Sequence, residues 1–319
     1  MPKALVIAGT SFIGRCVCDH LSEIGCDVTA TSRRSSPAEA TVFCDLNDSA
    51  SVGSAIRNVQ PDWIVQCAGA TSSRDPRELY RTHVDGTLNV LQAAHDLVPD
   101  AAICIFGSAA EYGPVPADML PVTEDTPCQP TTFFGASKLA QTHLAQAAAA
   151  TNAQKIVIVR PFNVIGPSLP DFYFAASLAR RLLKLKLENA PPGTAFDIFN
   201  ADATRDFIDV RDVASAVGTL LRAINSDSPS VVTSGDIFNL ATSEETPLIE
   251  VASLLGELAG GFTPQPAGEV ASRGGINRSA GDAAHLRQLT LPAGVDPWLP
   301  RVTWHTSISD LWDSLSGNA

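Results

Sequence analysis

Short apolar runs recur along the first half of the chain, each followed by a stretch with helical spacing. Ala4-Leu5-Val6-Ile7-Ala8 is the first. A continuous apolar run of this length has the character of a parallel strand buried on both faces. It passes through Gly9-Thr10-Ser11-Phe12-Ile13-Gly14 into an amphipathic segment that ends at Gly25. Strands are predicted again at 27–31, 41–44, 62–67, 102–106 and 155–159, with helices at 50–58, 79–97 and 135–150 among them. Six strands alternating with helices predict an α/β fold built on a doubly wound parallel sheet. Beyond residue 167 the regularity breaks. A helix at 174–187, a short strand at 196–199, a helix that opens within 204–213 and runs to 224, and a strand at 237–240 follow. A helix at 248–258 and a last one ending near 315 complete the pattern.

Strand, tight turn and helix in that order are what a phosphate-binding turn requires. Exposed N–H groups and the dipole at the helix start would hold a pyrophosphate there. The glycine spacing is incomplete: Ala8 and Ser11 fill the first two positions, with Gly9 one place late and Gly14 in register. Small residues still permit close approach, and the alternative is a plain strand-to-helix turn. After the second strand the chain reads Ser32-Arg33-Arg34, with no acidic residue to bond a ribose hydroxyl. Guanidinium groups at that place suit a 2′-phosphate and favour NADP over NAD; solvated loop charges are the alternative. Asp45-Leu46 closes the third strand where an adenine could lie, and Ala68-Gly69-Ala70 is a small-residue turn that would let a flat cofactor pass.

Gly107-Ser108 stands at the carboxyl end of the fifth strand, the edge where ligands of open parallel sheets collect. A tyrosine four residues ahead of a lysine at the start of the next helix would complete a proton relay with such a serine. The lysine charge lowers the phenol pKa, and the phenol exchanges a proton with a substrate oxygen beside a nicotinamide. In Phe133-Phe134-Gly135-Ala136-Ser137-Lys138 the lysine is in place and the tyrosine position holds Phe134. Between the serine and this helix lies a long Pro-rich loop, 114–130, better suited to facing a substrate than to connecting elements.

Composition narrows the partners. The 319 residues are 45% hydrophobic and 18% charged, in the range of an ordinary globular protein. A formal net charge of -12 argues against nucleic acid or an anionic membrane as partner. The seven cysteines show no C-x-x-C spacing and no Cys/His clustering, so no metal site is expected. A reducing, cytoplasmic compartment is. No stretch is long and apolar enough to span a membrane.

With these pieces in order the chain resembles the extended short-chain dehydrogenase/reductase family, which modifies nucleotide sugars. The markers are the GTSFIG turn, Asp45-Leu46, DPRELYRTHVDGTLNVL, GSAAEYG, FFGASK, RPFNVIGP and RDFIDVRDV, spread over nearly the whole chain. The resemblance implies a Rossmann-type sheet with a smaller C-terminal α/β substrate lobe. Residues 1–160, with 200–240 contributing, would form the dinucleotide-binding domain, and 161–199 with 241–319 the lobe. It implies that Ser108 bonds the reacting sugar oxygen and that Lys138 holds the nicotinamide ribose. Asn163 and Glu111 would touch the substrate, Arg205 would grip the nucleotide diphosphate, and the helices at 79–97 and 135–150 would pair in a homodimer.

Within the family the wording is most similar to GDP-4-keto-6-deoxymannose reductases. A dehydratase would carry carboxylates where Ala109 and Ala110 stand. A 4-epimerase, or a relative that binds the dinucleotide without chemistry, are the alternatives. Three departures bear on activity: Phe134 has no proton to give, His83 stands where the family usually has Asn, and Ala8 and Ser11 alter the glycine turn. Phe134 is either an engineered replacement of a tyrosine or the native residue. In both cases the chain as written would be slow or inactive.

Overall fold

The computed structural model describes residues 1–33, 41–69, 75–225, 232–269 and 276–317. Its centre is a seven-stranded parallel sheet made of β1 (Lys3–Ile7), β2 (Asp27–Ser32), β3 (Val42–Phe43), β4 (Trp63–Gln66), β5 (Ala102–Phe106), β6 (Lys155–Pro161) and a later strand, Ile237–Leu240. Their side chains alternate strictly between faces. Leu5, Ile7, Ile103, Ile105, Ile156 and Ile158 enter one core, while Ala4, Val6, Cys104, Phe106, Val157 and Val159 enter the other. This period of two follows from the pleat.

Helices cover both faces. α1 (Phe12–Glu23) starts where the Ser11 hydroxyl accepts from Gly14 N at 3.1 Å, a side-chain N-cap. α2 (Ser49–Val59) is capped in the same way by Asp48. The predicted helix at 79–97 is interrupted. α3 (Pro76–Tyr80) leads into a wider π turn, Arg81–Asp85, before α4 (Gly86–Leu97). The extra residue in the turn shifts the register and leaves His83 fully buried. Hydrophobic spacing gives no sign of that shift, because both flanking segments keep their own helical period. α5 (Phe133–Asn152) is capped by Thr132, whose hydroxyl accepts from Gly135 N at 3.0 Å.

Beyond β6 the chain leaves the sheet through β7 (Asn163–Ile165), α6 (Phe174–Leu187), β8 (Ala195–Ile198) and β9 (Thr204–Arg205). The segment expected to open a helix at 204–213 is strand first. β9 and β10 (Phe207–Asp209) precede α7 (Val210–Ile224), because Asp209 turns its carboxylate onto Arg211 N and starts the helix there. The strand Ile237–Leu240 is β11, pairing with β6 at one edge of the sheet, so the spatial order is β11-β6-β5-β4-β1-β2-β3. β12 (Thr246–Pro247), α8 (Leu248–Gly260), β13 (Thr263–Pro266), α9 (Ala284–Arg287) and α10 (Trp304–Ser316) follow.

A second core gathers α6, α8 and α10 around Leu182, Phe196, Val251, Leu255 and Leu311. Not all of 241–319 belongs to it. Ala283, Leu286, Leu289 and Trp298 pack under the large sheet, where Trp298 donates to Asp212 O at 2.9 Å. No helix among the described residues is long and apolar enough to cross a membrane. The strand order reverses between β1 and β4, and the loops at their carboxyl ends open a crevice there.

Candidate active site

A cleft of about 650 Å³ runs from that crevice toward the second core. Its walls bring together Ser11, Ser108, Phe134, Lys138, Asn163 and Arg205, which lie far apart in the chain. Gly9, Thr10, Gly14, Ser32, Arg33, Asp45 and Leu46 are outside its lining, and Arg34 and Ala70 lie outside the described residues.

At the turn after β1, Ser11 N donates to Ala8 O at 3.0 Å and Gly9 N to Val6 O at 3.2 Å. A Cβ on Gly14 would stand 2.2 Å from Ala8 O, and one on Gly9 would stand 2.7 Å from the Ala30 Cβ, so both must be glycine. Ala8 itself holds a φ of 60°, the left-handed region that glycine adopts without strain. The turn therefore keeps the glycine conformation while carrying an alanine. At the end of β2, Arg33 is exposed and no carboxylate precedes it. Leu46 is buried in the core with its Cβ against Gly86, and the half-buried Asp45 accepts from Asn47 N at 3.0 Å.

Ser108 stands two residues beyond β5 and caps a short 3₁₀ turn, Ala109–Glu111. Its hydroxyl accepts from Ala110 N at 3.1 Å, which leaves the hydroxyl proton for a ligand. The Lys138 ammonium donates to Phe106 O at 2.7 Å and to Gln141 Oε1 at 2.9 Å. Burial brings its pKa down to about 8, against the opposing pull of Glu111 and Cys67. A side chain on Gly69 would stand 3.3 Å from His83 Nε2 and 3.6 Å from Lys138 Nζ, so the floor here is open only because glycine occupies it.

Phe134 lines the cleft with its ring edge-on to His83, centroids 5.6 Å apart. His83 Nδ1 lies 2.8 Å from the Ser137 hydroxyl, which itself donates to Phe134 O at 2.8 Å. With the serine proton on that carbonyl, Nδ1 must be the donor and Nε2 carries the lone pair. Burial, then the Lys138 charge, hold the imidazole neutral by bringing its pKa to about 3. His83 is no acid at neutral pH.

Neither neighbour of Ser108 stands ready to replace the missing phenol. The Tyr112 hydroxyl donates to Asn239 Oδ1 at 2.7 Å and accepts from Arg160 Nη1 at 3.1 Å, and burial drives its pKa up to about 12. Glu111 is wholly buried and absent from the cleft wall. Its expected substrate contact is corrected: the carboxylate faces inward to Arg160.

Arg205 donates to Thr204 O, Asn277 O and Ile276 O, at 2.7, 3.2 and 3.0 Å. No carboxylate among the described residues pairs with it. Asp206 is occupied by Thr242, Ser243 and Gly281, and Asp209 by Arg211. A half-buried guanidinium without a counter-ion is an anion site in waiting. Asn163 lines the same wall and donates to Asp206 O at 3.1 Å. Sequence reading missed Arg278, which lines the cleft while paired with Glu245 at 2.6 Å, and Gln141, which holds the lysine. Arg278 had a weak signal, a lone arginine beyond a Gly-rich stretch; Gln141, three residues after Lys138, had none.

The profile of the NAD dependent epimerase/dehydratase family matches residues 4–241. The chain belongs to that family. A GDP-6-deoxy-D-mannose reductase of Pseudomonas aeruginosa is 30% identical over 62% of this chain and 64% of its own length. A dTDP-6-deoxy-L-talose 4-dehydrogenase (NAD(P)(+)) of Kitasatospora kifunensis is 28% identical over 98% of this chain and 96% of its own. Among solved structures, RMD from Pseudomonas aeruginosa complexed with NADPH superposes with a TM-score of 0.83 over 100% of both chains at 24% identity. Membership of this epimerase/dehydratase family accounts for the sheet, the crevice and the cleft beside it.

Proposed function

We propose that the chain is an NADP-dependent nucleotide-sugar oxidoreductase of the type that reduces a 4-keto sugar, slowed by Phe134. The observation that carries this reading is one cleft holding Ser108, Lys138 and the uncompensated Arg205. The two curated relatives, named as acting on 6-deoxyhexose nucleotides, support the substrate class. The residues present fit NADP: Gly9 and Gly14 let the turn after β1 close tightly, Gly69 leaves the floor open beside Lys138, and the exposed Arg33 at the end of β2 would take a 2′-phosphate. When bound, the nicotinamide supplies the hydride that makes the 4-keto carbon a carbinol.

The chain's own residues bind, orient and handle the proton. Ser108 donates to the sugar oxygen, Lys138 donates to the ribose, and Arg205 takes the diphosphate as a fork of N–H groups. The proton that completes the hydroxyl has no phenol to come from, so it must arrive from Ser108 or from water. Loss of a positioned acid costs roughly two to four orders of magnitude in rate. Phe134 with the occupied Tyr112 and Glu111 favours a second reading, a relative that binds both ligands without turnover. Turnover of GDP-, UDP- and dTDP-linked 4-keto-6-deoxy sugars by the Phe134→Tyr variant separates the two. The half-exposed or exposed Tyr80, Leu88 and Phe133 along α3, α4 and α5 support a homodimer, and seven unpaired thiols support a cytoplasmic setting.

A further inference from the structure

Glu111 is wholly buried and holds three partners at the end of β5, yet it never reaches the cleft. Its Oε1 accepts from Ser108 N at 2.8 Å, closing the turn that aims the Ser108 hydroxyl. Its Oε2 accepts from Thr142 on α5 at 2.9 Å and from Arg160 Nε on β6 at 2.8 Å. A Cβ on Gly107 would stand 2.5 Å from Oε1, so the backbone at the end of β5 passes directly over the carboxylate. Arg160 is itself fixed by Tyr112, and Tyr112 by Asn239, which donates to Val122 O and Asp282 O. One continuous buried network therefore runs from the Ser108 turn to the segments carrying Val122 and Ala280 on the opposite wall of the cleft.

We propose that Glu111 is a positioning residue that acts on Ser108 through its backbone N–H and on Lys138 through its charge. The first action is a hydrogen bond to a charged acceptor, which is stronger than a neutral one and sets the turn's geometry. The second follows from what surrounds the ammonium. Lys138 is held by two neutral acceptors, Phe106 O and Gln141 Oε1, so no carboxylate touches it. Around it stand Glu111 from the β5 turn with its partner Arg160 of β6, the Cys67 thiol after β4 and the neutral His83 of the π turn. Lys138 donates to Phe106 O while Glu111 Oε1 lies against Gly107, the next residue, so the carboxylate favours the charged lysine against desolvation. This proposal rests on the roles given above to Ser108 and Lys138.

A single Glu111→Gln change strands Arg160, so the informative variant is Glu111→Gln with Arg160→Met, which removes both buried charges and keeps an acceptor for Ser108 N. The Lys138 side chain is titrated by NMR in the ligand-free protein, parent and double variant alike. Its midpoint is expected to move down in the variant, with the Ser108 amide signal keeping its hydrogen-bonded position. Glu111→Leu with Arg160→Met should instead release the Ser108 amide to exchange. An unmoved Lys138 midpoint, or a Ser108 amide indifferent to Glu111→Leu, in variants with native spectra elsewhere overturns the proposal. NADPH binding, measured separately, decides the functional reading: absent binding with these shifts present would sink that reading and leave the positioning role standing.

Discussion

The rings of His83 and Phe134 meet edge to face, with planes at 79°. His83 also reaches the Phe134 carbonyl through Ser137, so side chain and backbone of Phe134 are both held from the π turn. The position is therefore rigid and needs only a hydroxyl to become a donor. Phe134→Tyr is expected to raise turnover of a 4-keto sugar nucleotide by about 10²–10⁴-fold while leaving NADPH affinity unchanged. A variant inert across all three nucleotide classes would leave only the binding reading.

Arg33 stands exposed at the end of β2, with no acidic residue in front of it. Arg33→Ala should weaken NADPH by about tenfold or more, the worth of a charge-assisted contact to phosphate, and leave NADH where it was. Isothermal titration with both cofactors checks it. Equal affinity of the parent chain for the two would remove the basis for assigning Arg33 this role.

Among the described residues no carboxylate pairs with Arg205, and burial pulls its pKa down. Arg205→Met should cost about 1.5–3 kcal/mol of nucleotide-sugar affinity without changing NADPH binding. Thermal stability should fall slightly, because Thr204 O, Asn277 O and Ile276 O lose their donor. Sugar-nucleotide affinity equal to the parent's would mean that the diphosphate sits elsewhere.

Ala8 occupies a left-handed conformation with φ 60°. Ala8→Gly should add about 1 kcal/mol of stability, the strain of an L side chain there less the greater freedom of an unfolded glycine. A raised urea midpoint with an unchanged m-value is the expected result. No change would show that the turn's neighbours, rather than the alanine, set its energy.

His83 is neutral down to about pH 3 when folded, whereas an unfolded imidazole takes up its proton near 6.5. Between those values the unfolded state binds more protons, so stability falls as pH drops below 6.5. Urea unfolding at pH 7 and pH 5 measures the slope. His83→Asn should flatten it, and an equal slope in the variant would exclude His83 as its source.

Most of the sheet was legible because β1, β4, β5 and β6 alternate between two buried faces and write themselves as apolar runs. Ser108 and Lys138 could be placed since strand ends and helix starts can be located from such runs, whereas Arg205 was expected only from the family resemblance. The roles of Glu111 and Leu46 could not. Both follow short strands and read as ligand-facing, and only the packing of β6 and α4 against them turns one toward Arg160 and the other toward Gly86. The π turn escaped notice for the same reason: one extra residue changes which side chain points inward without changing composition. Gln141 was invisible because a glutamine on a helix carries no pattern until its lysine is seen beside it.

The pairing of β11 with β6 also bears on how the chain is made. As synthesis proceeds from the N-terminus, β6 leaves the ribosome well before residues 237–240, and its outer edge must wait without a partner. An unpaired edge of a growing sheet is a place where other chains can add. Ile156 to Val159 is apolar on both faces, so a peptide released before β11 would present an apolar strand with an open edge to its copies. Completion of Ile237–Leu240 is what closes it.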